Sequence, residues 1–217
     1  MEILETVSRV RSRRTSPANT ADQAVRDRLL AGALHLFSRK GYAATTVREI
    51  VEAAGVTKPA LYYYFENKEG IFQALMQEAW RRFDALLEET RQEGGTVRER
   101  ILRLAERLYS LFLERIEIAR IALSVHYGPF QGRPVFDIES SHQKIRILIK
   151  GLVQEGIRSG EFQKKKAGDI TWAILGIIHM AVETQLWHPD QAIGGRGLGR
   201  ILNLVFEGIS AKERKGE

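Results

Sequence analysis

Between Thr46 and Phe65 the sequence TVREIVEAAGVTKPALYYYF starts a helix, stops it after about two turns and starts another at once. Thr46-Val47-Arg48-Glu49 has capping-box spacing, so the Thr46 hydroxyl can satisfy a free amide at the helix start. Val47, Ile50, Val51 and Ala54 supply an inward face. Gly55 then interrupts, Val56 is the small apolar residue of the turn, and Thr57 can cap a second, very short helix. Pro59 is tolerated there because an amide in the first helical turn has no intrahelical acceptor. Two helices joined by a tight glycine-containing turn make a helix-turn-helix arrangement.

Spacing then sorts the aromatic rings of the short helix. Leu61, Tyr64, Phe65 and Lys68 follow i, i+3, i+4, i+7 spacing, which turns the first three toward a core. Lys58 and Tyr62 share another face, with Pro59 and Tyr63 beside them. A core therefore accounts for Tyr64 and Phe65 and leaves Tyr62 and Tyr63 outside. Two exposed tyrosines beside a lysine and a threonine at a helix N-terminus suit DNA. Their hydroxyls can donate to phosphates while their rings pack on sugars or thymine methyls.

The rest of the chain is also helical in period. A helix is expected from about Asp22, with Val25, Leu29, Ala33 and Phe37 as its stripe, closing at Gly41 after Arg39-Lys40. Pro17-Ala18-Asn19 marks a break before it. Beyond Asn67-Lys68-Glu69 a longer helix should run to about Gln92, with Ile71, Phe72, Leu75, Ala79 and Phe83 inward. Further helices are expected over about Thr96–Glu117, then through about Val125, and over about Pro134–Arg158, Ala167–Trp187 and Leu198–Ala211. Gly160 and the run Gly194-Gly195-Arg196-Gly197 are among the breakers between them. No stretch shows sustained period-two alternation, so the fold expected is all-α.

Composition excludes more than it selects. With 217 residues and 44% hydrophobic content the chain can build a sizeable core, and with no cysteine it has no disulfide framework, thiolate metal site or cysteine nucleophile. Glu2 and Glu5 interrupt any secretory leader, and the apolar run Ile170 to Val182 is too short for a bilayer. A cytoplasmic protein without a membrane partner is expected. The net charge of +6 is compatible with a polyanionic partner but carries little weight alone. Arg9, Arg11, Arg13 and Arg14 belong either to a solvated tail or to an arm that gains phosphate or minor-groove contacts on DNA. HExxH, P-loop, GxSxG and GxGxxG fingerprints are all missing, and His179 with Glu183 makes only two metal ligands. No enzymatic activity, metal or cofactor is expected.

The stretch Arg28 to Phe72, above all LFSRKGYAATTVREIVEAAGVTKPALYYYFENKEGIF, resembles the DNA-binding region of the tetracycline-repressor (TetR) family. Phe37, Gly41-Tyr42, Thr45-Thr46, Ala54-Gly55-Val56, Leu61-Tyr62-Tyr63-Tyr64-Phe65 and Lys68-Glu69 carry the likeness together. Gly32 and Val51 stand where alanine is more usual, both small packing changes. Further on, Gly156-Ile157-Arg158-Ser159-Gly160-Glu161-Phe162 and Asp169 resemble the turn before the family's penultimate long helix.

The resemblance implies a homodimeric transcriptional regulator, usually a repressor, that binds an inverted-repeat operator in double-stranded DNA and answers to a small-molecule effector. It implies a basic arm over residues 1–21, a three-helix DNA-binding domain over 22–68 and a helical effector-binding and dimerisation domain over 69–217. On matching positions the DNA face would comprise Thr45, Thr46, Thr57, Lys58, Pro59, Ala60, Tyr62, Tyr63 and Lys68. Thr46, Tyr62 and Lys68 would meet phosphates, and Thr57, Lys58, Pro59, Ala60 and Tyr63 the major groove. Thr46 keeps its capping role in any case, and the alternative for Lys68 is a solvated lysine at a helix start.

A dimer bundle from the last two long helices would use Ile170, Ile174, Ile177, Ile178 and Ala181 with Ile201, Leu204 and Val205. Candidate effector contacts are Tyr109, Phe112, His126 and Tyr127, then Trp172, Gly176, His179 and Glu183 along one stripe. Their mixture favours a hydrophobic or aromatic effector, against the plain alternative that aromatics at helical spacing fill core. A rival reading keeps the helical dimer but has it act through protein contacts, without an operator.

Overall fold

The computed structural model describes residues 17–128 and 131–210, with side chains from residue 22. The arginines of the arm, Arg9, Arg11, Arg13 and Arg14, lie outside the described residues. Nine α helices follow among those described: α1 (Pro17–Lys40), α2 (Val47–Ala54), α3 (Lys58–Phe65), α4 (Lys68–Gln92) and α5 (Val97–Glu114), then α6 (Ile116–Tyr127), α7 (Ile138–Ser159), α8 (Ala167–Trp187) and α9 (Gly194–Ile209). The fold is all-α. None of these helices is long and apolar enough to cross a membrane.

Helix starts follow local chemistry where a cap is present. The Thr46 and Thr96 side chains each accept from the amide three residues on, and the glutamates at those positions, Glu49 and Glu99, accept from the cap amides. Asp137 accepts from Ser140 N at 2.9 Å and opens α7 later than Pro134. Elsewhere the punctuation misleads. α1 begins at Pro17 rather than Asp22, because proline at the first helical position sacrifices no hydrogen bond. The glycine run 194–197 is the first turn of α9, not a break, with Gly197 buried so closely that a Cβ there would lie 2.6 Å from Ile193 Cβ.

Two apolar cores share α4 and α6. The first joins Leu29, Ala33 and Phe37 of α1 to Ile50, Leu61, Phe65, Phe72 and Met76, and takes in Ile118, Ile121 and Val125 from one face of α6. The second fills the bundle of α5, α7, α8 and α9, with Phe83 and Leu87 of α4 at its edge. At the centre of the first core the Phe72 ring lies 5.3 Å from Tyr42 and 5.4 Å from Phe136, both edge-on. The segment before α7 is thereby packed directly on the first turns of α4.

Candidate nucleic-acid interface

The helix-turn-helix is built by a stop and a restart. Gly55 closes α2 in the left-handed region (φ 60°), where glycine has no Cβ to clash, and its amide donates back to Val51 O and Glu52 O. α3 then begins at Lys58, with Thr57 extended at its cap position. The Thr57 side chain makes no capping hydrogen bond, contrary to expectation, so its hydroxyl is unspent.

α3 presents two faces. Leu61 and Phe65 are buried in the first core. Thr57, Lys58 and Pro59 are exposed, Ala60 is half-buried, and Tyr62 and Tyr63 are 50% and 77% exposed. Tyr64 stands at the edge rather than in the core. Its ring meets Tyr63 edge-on at 4.9 Å and its hydroxyl donates to Asp22 Oδ1 at 2.8 Å, which ties α3 to α1 and raises the phenol pKa. Arg26 of α1 adds its guanidinium over the Phe65 ring at 5.3 Å. The outward tyrosines therefore project from a helix fixed on its other sides.

The remaining candidates separate. Thr45 is withdrawn from the surface: it is 1% exposed and its hydroxyl donates to Gly41 O at 2.8 Å, because the turn into α2 folds it inward. Thr46 is exposed, and its hydroxyl donates to Glu49 Oε2 at 2.7 Å as well as capping Glu49 N. Lys40 first, then Thr46, hold the Glu49 carboxyl down at about 2. Lys68 is not a solvated lysine. Its ammonium lies against the turn before α2, and burial, followed by repulsion from Lys40, lowers its pKa.

One structural residue here escaped sequence reasoning. Gly70, in the first turn of α4, sits where a Cβ would fall 2.0 Å from the Phe65 carbonyl oxygen, and its amide donates to Asn67 Oδ1 at 2.9 Å. A glycine one turn after a capping asparagine was the available signal.

The expected effector residues do not converge on one cavity. Tyr109 is buried, its hydroxyl donating to Gln185 Oε1 at 2.7 Å, and with Phe112 it flanks a crevice between α5, α6 and α8 too narrow for a water molecule. His126 and exposed Tyr127 end α6, with His126 facing His142 of α7 at 6.0 Å between rings. Trp172 and Gly176 lie outside the bundle, in an open groove on α8 of about 630 Å³ shared with Met180 and Ile201. Exposed His179 and half-buried Glu183 follow along the same helix, 3.7 Å apart.

The expected dimer stripe is corrected in the complementary sense. Ile170, Ile174, Ile178 and Ala181 are buried inside their own subunit, and Ile177 and Val205 are half-buried. Ile201 and Leu204 remain exposed, Ile201 in the groove it shares with Trp172 and Met180. α8 is apolar all round, so period alone could not choose its outer face.

Residues 29–75, from the core of α1 to the middle of the first core's share of α4, match the profile of bacterial regulatory proteins of the tetR family. The HTH-type transcriptional repressor KstR2 of Mycolicibacterium smegmatis is 30% identical over 197 residues, 87% of this chain and 92% of that one. The chain belongs to the TetR family. As a TetR-family protein it is a DNA-binding transcriptional regulator. Among its relatives the fatty acid metabolism regulator protein of Bacillus subtilis is 28% identical, over 85% of this chain and 95% of that one. The TetR-family fold also matches that of the transcriptional regulator FadR from Bacillus subtilis, solved in complex with stearoyl-CoA, with a TM-score of 0.62 at 22% identity over 83% of this chain and 95% of that one.

Proposed function

We propose that this TetR-family regulator is a repressor that binds an inverted-repeat operator as a homodimer and leaves it on taking up a hydrophobic effector. The observation that carries the DNA half is the row Thr57, Lys58, Pro59, Tyr62 and Tyr63, exposed on a helix whose opposite face is locked in the core. Lys58 would donate to guanine O6 or N7, and Pro59, Ala60 and the Tyr63 ring would meet the groove floor or thymine methyls. The Tyr62 hydroxyl would fix register on a phosphate. Residues 22–68 then serve recognition, and residues 69–217 serve effector binding and dimerisation.

Selection from random DNA should return an inverted repeat whose half-sites are centred about one helical turn apart or slightly more. Lys58→Ala combined with Tyr62→Ala should weaken binding to that operator about a thousandfold or more, since each of the two half-sites loses a charged and a neutral donor. Recovery of no repeat, or indifference to the double substitution, would favour a dimer that works through protein contacts.

For the effector, the support is the name of the Bacillus subtilis relative and the acyl-CoA held by a protein of the same fold. A long aliphatic chain matches the apolar walls Phe112, Ile116, Val182 and Leu186 between α5, α6 and α8. That crevice admits no water, so a ligand has to select a conformer in which those helices part. It can displace the operator only by its differential affinity for that conformer. Stearoyl-CoA at micromolar concentration should release the operator and coenzyme A alone should not. Release by neither rejects the acyl effector and leaves the DNA reading standing.

A further inference from the structure

Lys68 opens α4, yet its ammonium does not point away from the protein. Nζ donates to Tyr42 O at 2.9 Å and to Thr45 O at 2.8 Å, and it stands 4.2 Å from the centroid of the Tyr42 ring. An ammonium carries three donors, so two are spent on carbonyls of the turn between α1 and α2 and the charge rests on an aromatic face. The gripped turn is itself braced. Thr45 Oγ1 donates to Gly41 O, and the Tyr42 ring packs on Phe37 at 5.2 Å and on Phe72 at 5.3 Å. The next residue, Thr46, caps α2.

The same two turns of α4 are fastened to the effector-side helices. Val135 N donates to Glu69 Oε1 at 2.9 Å, and Gln73 Nε2 donates to Val135 O at 2.5 Å. The Phe136 ring lies 5.4 Å from Phe72 and stacks on Trp80 at 5.6 Å. The start of α4 is thus held by the segment before α7 and, through Lys68, by the segment before α2.

We propose that Lys68 is a positioning residue that makes the first turn of α4 and the entry to α2 one rigid piece, so that α4 cannot shift without carrying the recognition unit with it. The proposal builds on the DNA-binding reading above. It assigns Lys68 to two backbone carbonyls instead of a phosphate. Turning the ammonium out to DNA would leave both carbonyls without that donor and strip the charge from the Tyr42 face.

The test compares Lys68→Met, which keeps an unbranched stem and loses the donors, with Lys68→Arg, which restores them. Binding to the selected operator is measured across a range of salt, and amide hydrogen exchange of residues 42–50 is measured in the free full-length protein. Lys68→Met should bind about tenfold more weakly at every salt concentration with an unchanged salt slope, and Lys68→Arg should recover to within about threefold. Exchange across residues 42–50 should accelerate in the methionine variant and return to the parent rate in the arginine variant.

A salt slope reduced by about 1 per half-site assigns Lys68 to a phosphate and overturns the proposal. So does unchanged exchange, or a loss that arginine does not repair. Should the methionine variant fail to fold, Lys68→Gln, which keeps one donor group, is read in its place. If the parent protein binds no operator the functional reading fails, and the exchange rates still decide whether Lys68 rigidifies the turn.

Discussion

One added methyl group at position 70 is expected to remove about 3 kcal/mol of stability and to weaken operator binding with it. In Gly70→Ala the new Cβ would lie 2.0 Å from the Phe65 carbonyl oxygen and 3.0 Å from its carbon. That oxygen cannot retreat freely. It accepts from Asn67 N at 2.6 Å, and Phe65 is anchored in the first core. The linker is already strained, since Glu66 adopts φ 59° and ψ −43°, a sparsely populated conformation that costs about 1–3 kcal/mol. Alanine's better helix propensity returns only about 1 kcal/mol. The contact is therefore relieved only by moving α3 relative to α4, which re-aims Tyr62 and Tyr63. Gly151→Ala on α7 is the matched control, because its Cβ meets nothing within 4 Å and should stabilise by up to about 1 kcal/mol. Urea unfolding and operator titration of both variants decide the matter. A Gly70→Ala protein as stable as its parent would mean that the junction between α3 and α4 is not rigid.

The helix-turn-helix was legible because its information is local. A capping box, a left-handed glycine and a proline in the first turn each act over four residues or fewer, and the 3.6-residue period then sorts the faces of α3. What stayed hidden depends on partners distant in sequence. Lys68 is defined by carbonyls 26 and 23 residues earlier, and Tyr64 by an aspartate 42 residues earlier. Thr45 differs from Thr46 only in which way the turn throws its side chain. α8 shows a third kind of failure. Ile170, Ile174 and Ile178 form one stripe and Trp172, Gly176 and Met180 another, both apolar at the same spacing. Reading the first as dimer contact put core residues at an interface, because a helix apolar on every side gives no moment to orient it. Only the packing of α5, α7 and α9 around α8 distinguishes the stripes.

Met180→Glu combined with Leu204→Glu is expected to split the proposed homodimer and to lower operator affinity about a thousandfold. Trp172, Met180 and Leu204 are 64%, 60% and 66% exposed on the adjoining helices α8 and α9. Large apolar side chains gathered on a surface rimmed by polar groups mark a contact area rather than a solvated face. In a two-fold dimer the same patch meets itself, so two substitutions put four carboxylates into one interface. Each would have to be desolvated without a cation introduced to meet it, which costs several kcal/mol apiece. Neither residue belongs to a subunit core, so the helical circular dichroism should persist. Sedimentation should then report the single-chain mass of 24.6 kDa instead of twice that value. The fall in operator affinity follows from linkage: a dimer binds its second half-site at the effective concentration set by the first, and a monomer loses that gain entirely. Affinity for an isolated half-site should stay the same, since α3 packs on α1, α2 and α4 and neither substitution lies on them. A double variant that remains dimeric would exclude this face as the interface, and one that is monomeric yet binds the full operator as tightly as its parent would exclude dimeric recognition.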